Sequence, residues 1–196
     1  DKTHGRVWRV QPKGFRAPAR RDLAKASPQE LVATLRADNM LWRLHAQRLL
    51  VERGELDVVD ALLALLAKPQ RDEIGLDVGG FHASHTLALL GAMKDERVRA
   101  AVERAFETGT PEVRRAALAL LPKDERLAKS GAFLAAFEDP LARNRLALLL
   151  ALSEFDPSGR LGEAIAPWLA DKALVEDRIL ADAFLCAAAK HSAGFL

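Results

Sequence analysis

Apolar positions recur along most of this chain at offsets 0, 4, 7 and 8, the spacing that lays four side chains along one face of an α-helix. Five segments carry the stripe: Trp42, Ala46, Leu49, Leu50; Phe81, His85, Ala88, Leu89; Val113, Ala117, Leu120, Leu121; Ala142, Leu146, Leu149, Leu150; and Asp177, Ala181, Phe184, Leu185. Their first positions are 39, 32, 29 and 35 residues apart. Ahead of each stripe the pattern leaves room for a partner helix, at roughly 28–37, 57–68, 95–107, 124–137 and 159–170. Start signals fit this division. Ser27-Pro28-Gln29-Glu30 offers an N-cap hydroxyl, a proline in the first turn and a glutamate placed for a capping box. Asp38-Asn39, Thr110-Pro111 and Asp139-Pro140 offer further N-caps ahead of the second helices.

The pattern predicts an all-α fold: about five antiparallel helical hairpins over residues 22–196, stacked as an α-solenoid because each exposes an apolar face that only a neighbour can cover. Before it, "GRVWRV" (5–10) alternates like a short strand and "QPKGFRAPARR" reads as an extended linker. A lone strand is not stable by itself, so residues 1–21 are expected to be the terminal strand and linker of an upstream domain.

The residue after the first stripe position is Arg43, His82, Arg114, Arg143 or Arg178. A helix pair repeating every 30 to 40 residues with an Asp/Thr-Pro-x-x-Arg signature resembles HEAT repeats, and "TPEVRRAALALL" (110–121) is the most typical copy. The resemblance implies that Arg43, Arg114, Arg143 and Arg178 form a structural column tying hairpins together, rather than a phosphate-binding ladder.

Charge bears on partners. Residues 1–21 hold seven Lys/Arg against one Asp, so the net +2 of the whole chain leaves the helical part acidic, which speaks against a nucleic-acid track. The longest aliphatic run, 146–152, is far short of the roughly 20 residues of a spanning helix. One cysteine, Cys186 in "DAFLCAAAK", rules out a disulfide framework and is expected to be packed. Trp42 and Trp168 are expected in the core.

Candidate chemistry gathers around "GGFHASHTLALLG" (79–91) and the long loop before it, 68–80. His82 and His85, three apart, have the spacing of a zinc pair, with Asp77 as a possible third ligand and Arg71 on the same loop. The repeat register points the two rings differently, so a buried or capping pair is the preferred reading, and these four residues are kept as binding candidates. Gly75, Gly79 and Gly80 complete no phosphate-cradling motif. G-x-S-x-G and H-E-x-x-H do not occur, so no catalytic residue is assigned, and neither a metal nor a cofactor.

The phrases "HGRVWRV", "RDLAKASPQELVATLRADNMLWRLHAQRLLVERG", "FHASHTLALLGAM" and "LCAAAKHSAGFL" together resemble the HEAT-repeat segment of large secreted planctomycete-type proteins. Those proteins join a sugar-dehydrogenase-like β-propeller, HEAT repeats and a cytochrome c module. The resemblance implies a periplasmic or extracellular scaffold that docks other domains of the same polypeptide or a protein partner. Any haem c or quinone would lie in parts other than this chain, which lacks C-x-x-C-H. The alternative is a nucleic-acid-binding protein of the HEAT-like alkylpurine DNA glycosylase kind.

Overall fold

The computed structural model describes residues 8, 10–16 and 22–195, and every regular element among them is helical. The strand expected at 5–10 falls outside the described residues, except for Trp8 and Val10, which lie in no strand. No helix is long and apolar enough to cross a membrane among the described residues.

Helix α1 (Pro28–Thr34) starts where the capping box predicts. Ser27 Oγ accepts the Glu30 N–H at 3.3 Å, and Glu30 Oε2 accepts the Ser27 N–H at 2.7 Å, so two amides at the helix start are satisfied reciprocally. Its partner α2 (Met40–Arg53) is capped by Asn39 and stops at Gly54, whose φ of 67° favours glycine. Two further pairs follow: α3 (Val59–Ala67) with α4 (Val78–Leu89), and α5 (Glu96–Thr108) with α6 (Pro111–Leu120).

Beyond α6 the first helices fragment. The helix expected at 124–137 is two, α7 (Glu125–Lys129) and α8 (Gly131–Ala135), because Ser130 turns extended and its Oγ accepts the Phe133 N–H to start a new helix. The helix expected at 159–170 is α10 (Gly159–Ile165) followed by a 3-10 turn holding Pro167, with the short α11 (Lys172–Glu176) after it. Their long partners are α9 (Ala142–Glu154) and α12 (Arg178–Lys190).

Each of α1, α3 and α5 packs on the helix that follows it. The second helices run in single file, α2 against α4, α4 against α6, α6 against α9 and α9 against α12, while α1 packs on α3 and α3 on α5. Two apolar clusters fill the interior, one around Leu35, Leu50, Leu62 and Leu87, the other around Phe133, Leu148, Leu152 and Ile165. Leu66 and Met93 pack against both, so the buried interior is continuous.

The stripe register holds in α2 and α6, where Ala46, Leu50, Val113, Ala117 and Leu121 are buried. It holds only in part in the other three second helices: Leu149 and Phe184 are buried, but Leu89, Leu150 and Leu185 are 60%, 52% and 63% exposed. The buried faces centre on Ala83 and Leu87 in α4, on Leu148, Leu149, Ala151 and Leu152 in α9, and on Leu180, Ala183, Phe184 and Ala187 in α12. In α9 the cause is visible in the composition, since a run that is apolar all round fits the 0, 4, 7, 8 template in more than one register. The N-cap there is Leu141 rather than Asp139, whose Oδ1 accepts the Leu141 N–H one turn earlier.

Three smaller expectations are also corrected. Thr110 makes no capping bond, because its hydroxyl donates to the Glu112 carboxylate. Cys186 is exposed, since the displaced register of α12 turns it outward. Trp42 and Trp168 are half-buried rather than central.

Candidate functional site

The loop between α3 and α4 is tightly organised around Asp72 and Asp77. Asp72 Oδ1 accepts the N–H groups of Ile74 and Leu76, and Gly75 takes φ 85° in the turn. Asp77 is buried at the head of α4, where its Oδ1 accepts the Gly80 N–H at 3.0 Å and its own N–H donates to Glu112 Oε1. Glu112, itself buried, therefore receives both the Asp77 amide and the Thr110 hydroxyl and binds the start of α4 to the start of α6.

The glycine pair has a steric reason. A Cβ on Gly79 would sit 2.5 Å from Cγ of Arg36, and one on Gly80 would press on Asp77 and on Val113 of α6. Arg36 crosses there so that its Nη2 can donate to the carbonyls of Leu65 and Lys68 at the end of α3, tying the first hairpin to the second.

His82 faces α2. Its ring is buried, and Nδ1 lies 2.6 Å from Gln47 Oε1, an acceptor that assigns the proton to Nδ1. Burial, the nearby Arg43 cation and His85 together push the imidazole down to about 4, in that order of importance, so His82 is neutral at pH 7. His85 is half-buried, its Nδ1–H donates to Phe81 O at 3.0 Å, and its ring lies 4.5 Å from the Phe81 ring. Each imidazole thus spends Nδ1 on a different partner. Asp77 is committed to the helix start, and Arg71 is exposed, with no hydrogen bond or ion pair among the described residues. The four candidates are therefore neighbours in sequence that do not converge on one point. Among the described residues no group of three or more His, Cys, Asp or Glu could hold a metal ion.

Beside them, Arg36, Asp38, Arg43, Asp72, Glu73 and Ile74 border an open basin of about 440 Å³. Its volume suits a small ligand, but its polar groups are not free to converge: Arg36 is bound to carbonyls of α3 and its loop, and Arg43 Nη1 donates to Ala37 O and Asp38 O.

The arginine column divides. Arg43 braces its own preceding turn, and Arg114 pairs with Asp139 of the next hairpin at 2.7 Å. Arg143 and Arg178 are exposed instead, Arg178 lying 3.9 Å from Asp182 of its own helix. The tie in α9 is made by Arg145, which pairs with Asp171 at 2.6 Å and stacks over the Trp168 ring at 4.7 Å. The two-residue shift from Arg143 to Arg145 is the register displacement of α9. Gln47, Glu112, Arg36 and Arg145 were not singled out from sequence, and for the first three no local signal exists, since their partners lie 29 to 35 positions away.

No family model matches the chain, and no match is found among curated proteins or among solved structures.

Proposed function

We propose that the chain is a HEAT-like α-solenoid that serves as a non-catalytic spacing and docking module, part of a larger secreted redox protein of the sugar-dehydrogenase type. The observation that carries the reading is the single file of second helices, α2, α4, α6, α9 and α12, each packed on the next, with Arg36, Arg114 and Arg145 reaching from one hairpin to the following one. The chemistry agrees with it. The buried His82 imidazole is held by the Gln47 amide, the buried His191 imidazole lies between the Ser158 N–H and the Leu152 carbonyl, and among the described residues no group of three or more His, Cys, Asp or Glu could hold a metal ion. The secreted setting and the propeller and cytochrome neighbours come from the sequence resemblance.

The test is a calorimetric titration of this chain against propeller and cytochrome c domains produced separately from the same reading frame. Saturable binding to either one, together with no sugar oxidation by this chain alone, is the expected result. A frame that encodes neither domain, or turnover by the isolated chain, would overturn the proposal.

A further inference from the structure

A second, more enclosed cleft opens where α5 and α6 face α8 and the 3-10 turn Ala136–Glu138. Its walls are the buried Phe106 and Leu118 on one side and Ala132, Ala135 and Ala136 on the other, small residues on the first helix of the fourth hairpin that leave a notch. The polar side is a chain of four side chains. Arg114 Nη2 and Asn144 Nδ2 both donate to Asp139 Oδ2 at 2.7 Å, and Arg115 Nη1 donates to Asn144 Oδ1 at 3.0 Å.

The charges in this chain do not balance. Asp139 is matched by Arg114, whereas Arg115 is half-buried and, among the described residues, has a neutral amide as its hydrogen-bond partner and makes no ion pair. A guanidinium has five N–H donors in a planar fork suited to a carboxylate, and one held part-way out of water gains most from an anion. Glu107, also at the cleft, is exposed and not paired with it.

Size narrows the occupant. The cavity is about 80 Å³, against roughly 300–1,000 Å³ for clefts that hold cofactors and drug-sized ligands. It has room for one side chain. We propose that this cleft is an anchor site for a segment of a protein partner that presents an aliphatic side chain, seated between Phe106, Leu118 and the alanines, next to a carboxylate bound by Arg115. The inference rests on the docking reading above and names the chemistry of the docked surface. In interfaces generally a few residues seated in desolvated pockets carry most of the binding energy, and Arg is among the types enriched there.

The probe is the capped dipeptide N-acetyl-Glu-Leu-amide, titrated at millimolar concentration into the intact, isotopically labelled chain and followed by amide shifts. Shifts confined to the surroundings of Phe106, Arg115, Leu118 and Ala135 are expected, with binding at least tenfold weaker for the Gln-Leu and Glu-Gly analogues. Arg115→Gln should bring the Glu-Leu and Gln-Leu peptides to equal affinity, while Glu107→Gln should tighten the Glu-Leu peptide. Ala135→Leu, a change at an exposed position that fills the notch, should abolish binding with the helical content unchanged. Equal binding of the Glu and Gln peptides to the unaltered chain, shifts spread away from the cleft, or no shifts at all would overturn the proposal. A silent cleft alongside binding of the sister domains would remove this inference and leave the docking reading standing; peptide binding with no sister domain bound would do the reverse.

Discussion

The seam between α2 and α4 and the seam between α6 and α9 both bury polar side chains between stacked helices, and they do so with opposite chemistry. The first uses a neutral pair, the His82 imidazole against the Gln47 amide. The second uses ions, Arg114 and Arg115 joined through Asp139 and Asn144. A neutral pair carries little desolvation cost at neutral pH but fails when a proton arrives, because the imidazolium must then be held in a partly dry site beside Arg43. The ionic chain instead depends on every member, since removing one leaves a charge unpaired. Between them the α4–α6 seam is polar at its start, where Glu112 receives the Asp77 amide, and apolar at Val113, which packs against Gly80. The three seams should therefore fail under different insults.

The largest effect is expected at the apolar contact of Val113. Val113 is buried, and Val113→Asp would place a carboxylate with no cation to receive it. A loss of about 4 kcal/mol is expected, read as a fall in the urea midpoint. A loss below about 1 kcal/mol would mean that water reaches this seam and that it does not differ in kind from the other two.

Next comes the response of the neutral seam to acid. The folded chain holds His82 down to about 4, whereas an unfolded imidazole titrates near its ordinary value of 6.5. Between these values the unfolded state binds the extra proton, so the stability from this site is complete above 6.5 and is lost as pH falls towards 4. The shift bounds the loss at about 3 kcal/mol. Denaturant titrations across this range, on the unaltered chain and on His82→Gln, should show a steeper fall with acid in the former. Equal slopes would mean that the imidazole is not desolvated in solution.

The ionic seam should yield less. Asp139→Ala leaves the Arg114 guanidinium and the Asn144 amide without their shared acceptor, but Arg114 is partly exposed and can turn to water. About 2 kcal/mol is expected, read as a fall in the urea midpoint. A loss below about 0.5 kcal/mol would mean that the chain does not depend on its shared acceptor, and the contrast between the two seams would collapse.

How far these seams could be read from sequence depends on the range of each interaction. Helix starts were legible at Ser27 and Asn39 because a capping side chain reaches an amide only two or three residues ahead, whereas Asp177, placed in the apolar stripe, is the N-cap of α12. The break at Ser130 used the same chemistry and was overlooked, since an apolar pattern continuing through it reads as one helix. Asp77 was noticed as a loop carboxylate, but its bond to Gly80 makes it a cap, and nothing local reveals that Glu112 meets its amide. The glycine pair looked chemical and is steric, because Arg36 comes from another hairpin.

The smallest predicted effect separates the two registers of α9 most directly. Periodicity puts Arg143 in the tying column, while the structure leaves it exposed and buries most of Arg145 against Trp168. Arg143→Ala should change stability by less than about 0.5 kcal/mol, as surface substitutions do. Arg145→Ala removes a cation over an aromatic face and the packing of a long stem, and should cost about 1 kcal/mol. The ratio matters more than either value. Melting curves in which the two variants are equal, or in which Arg143→Ala is the more damaging, would return α9 to the register in which Leu150 faces inward, and with it shift Asn144 off the ionic seam.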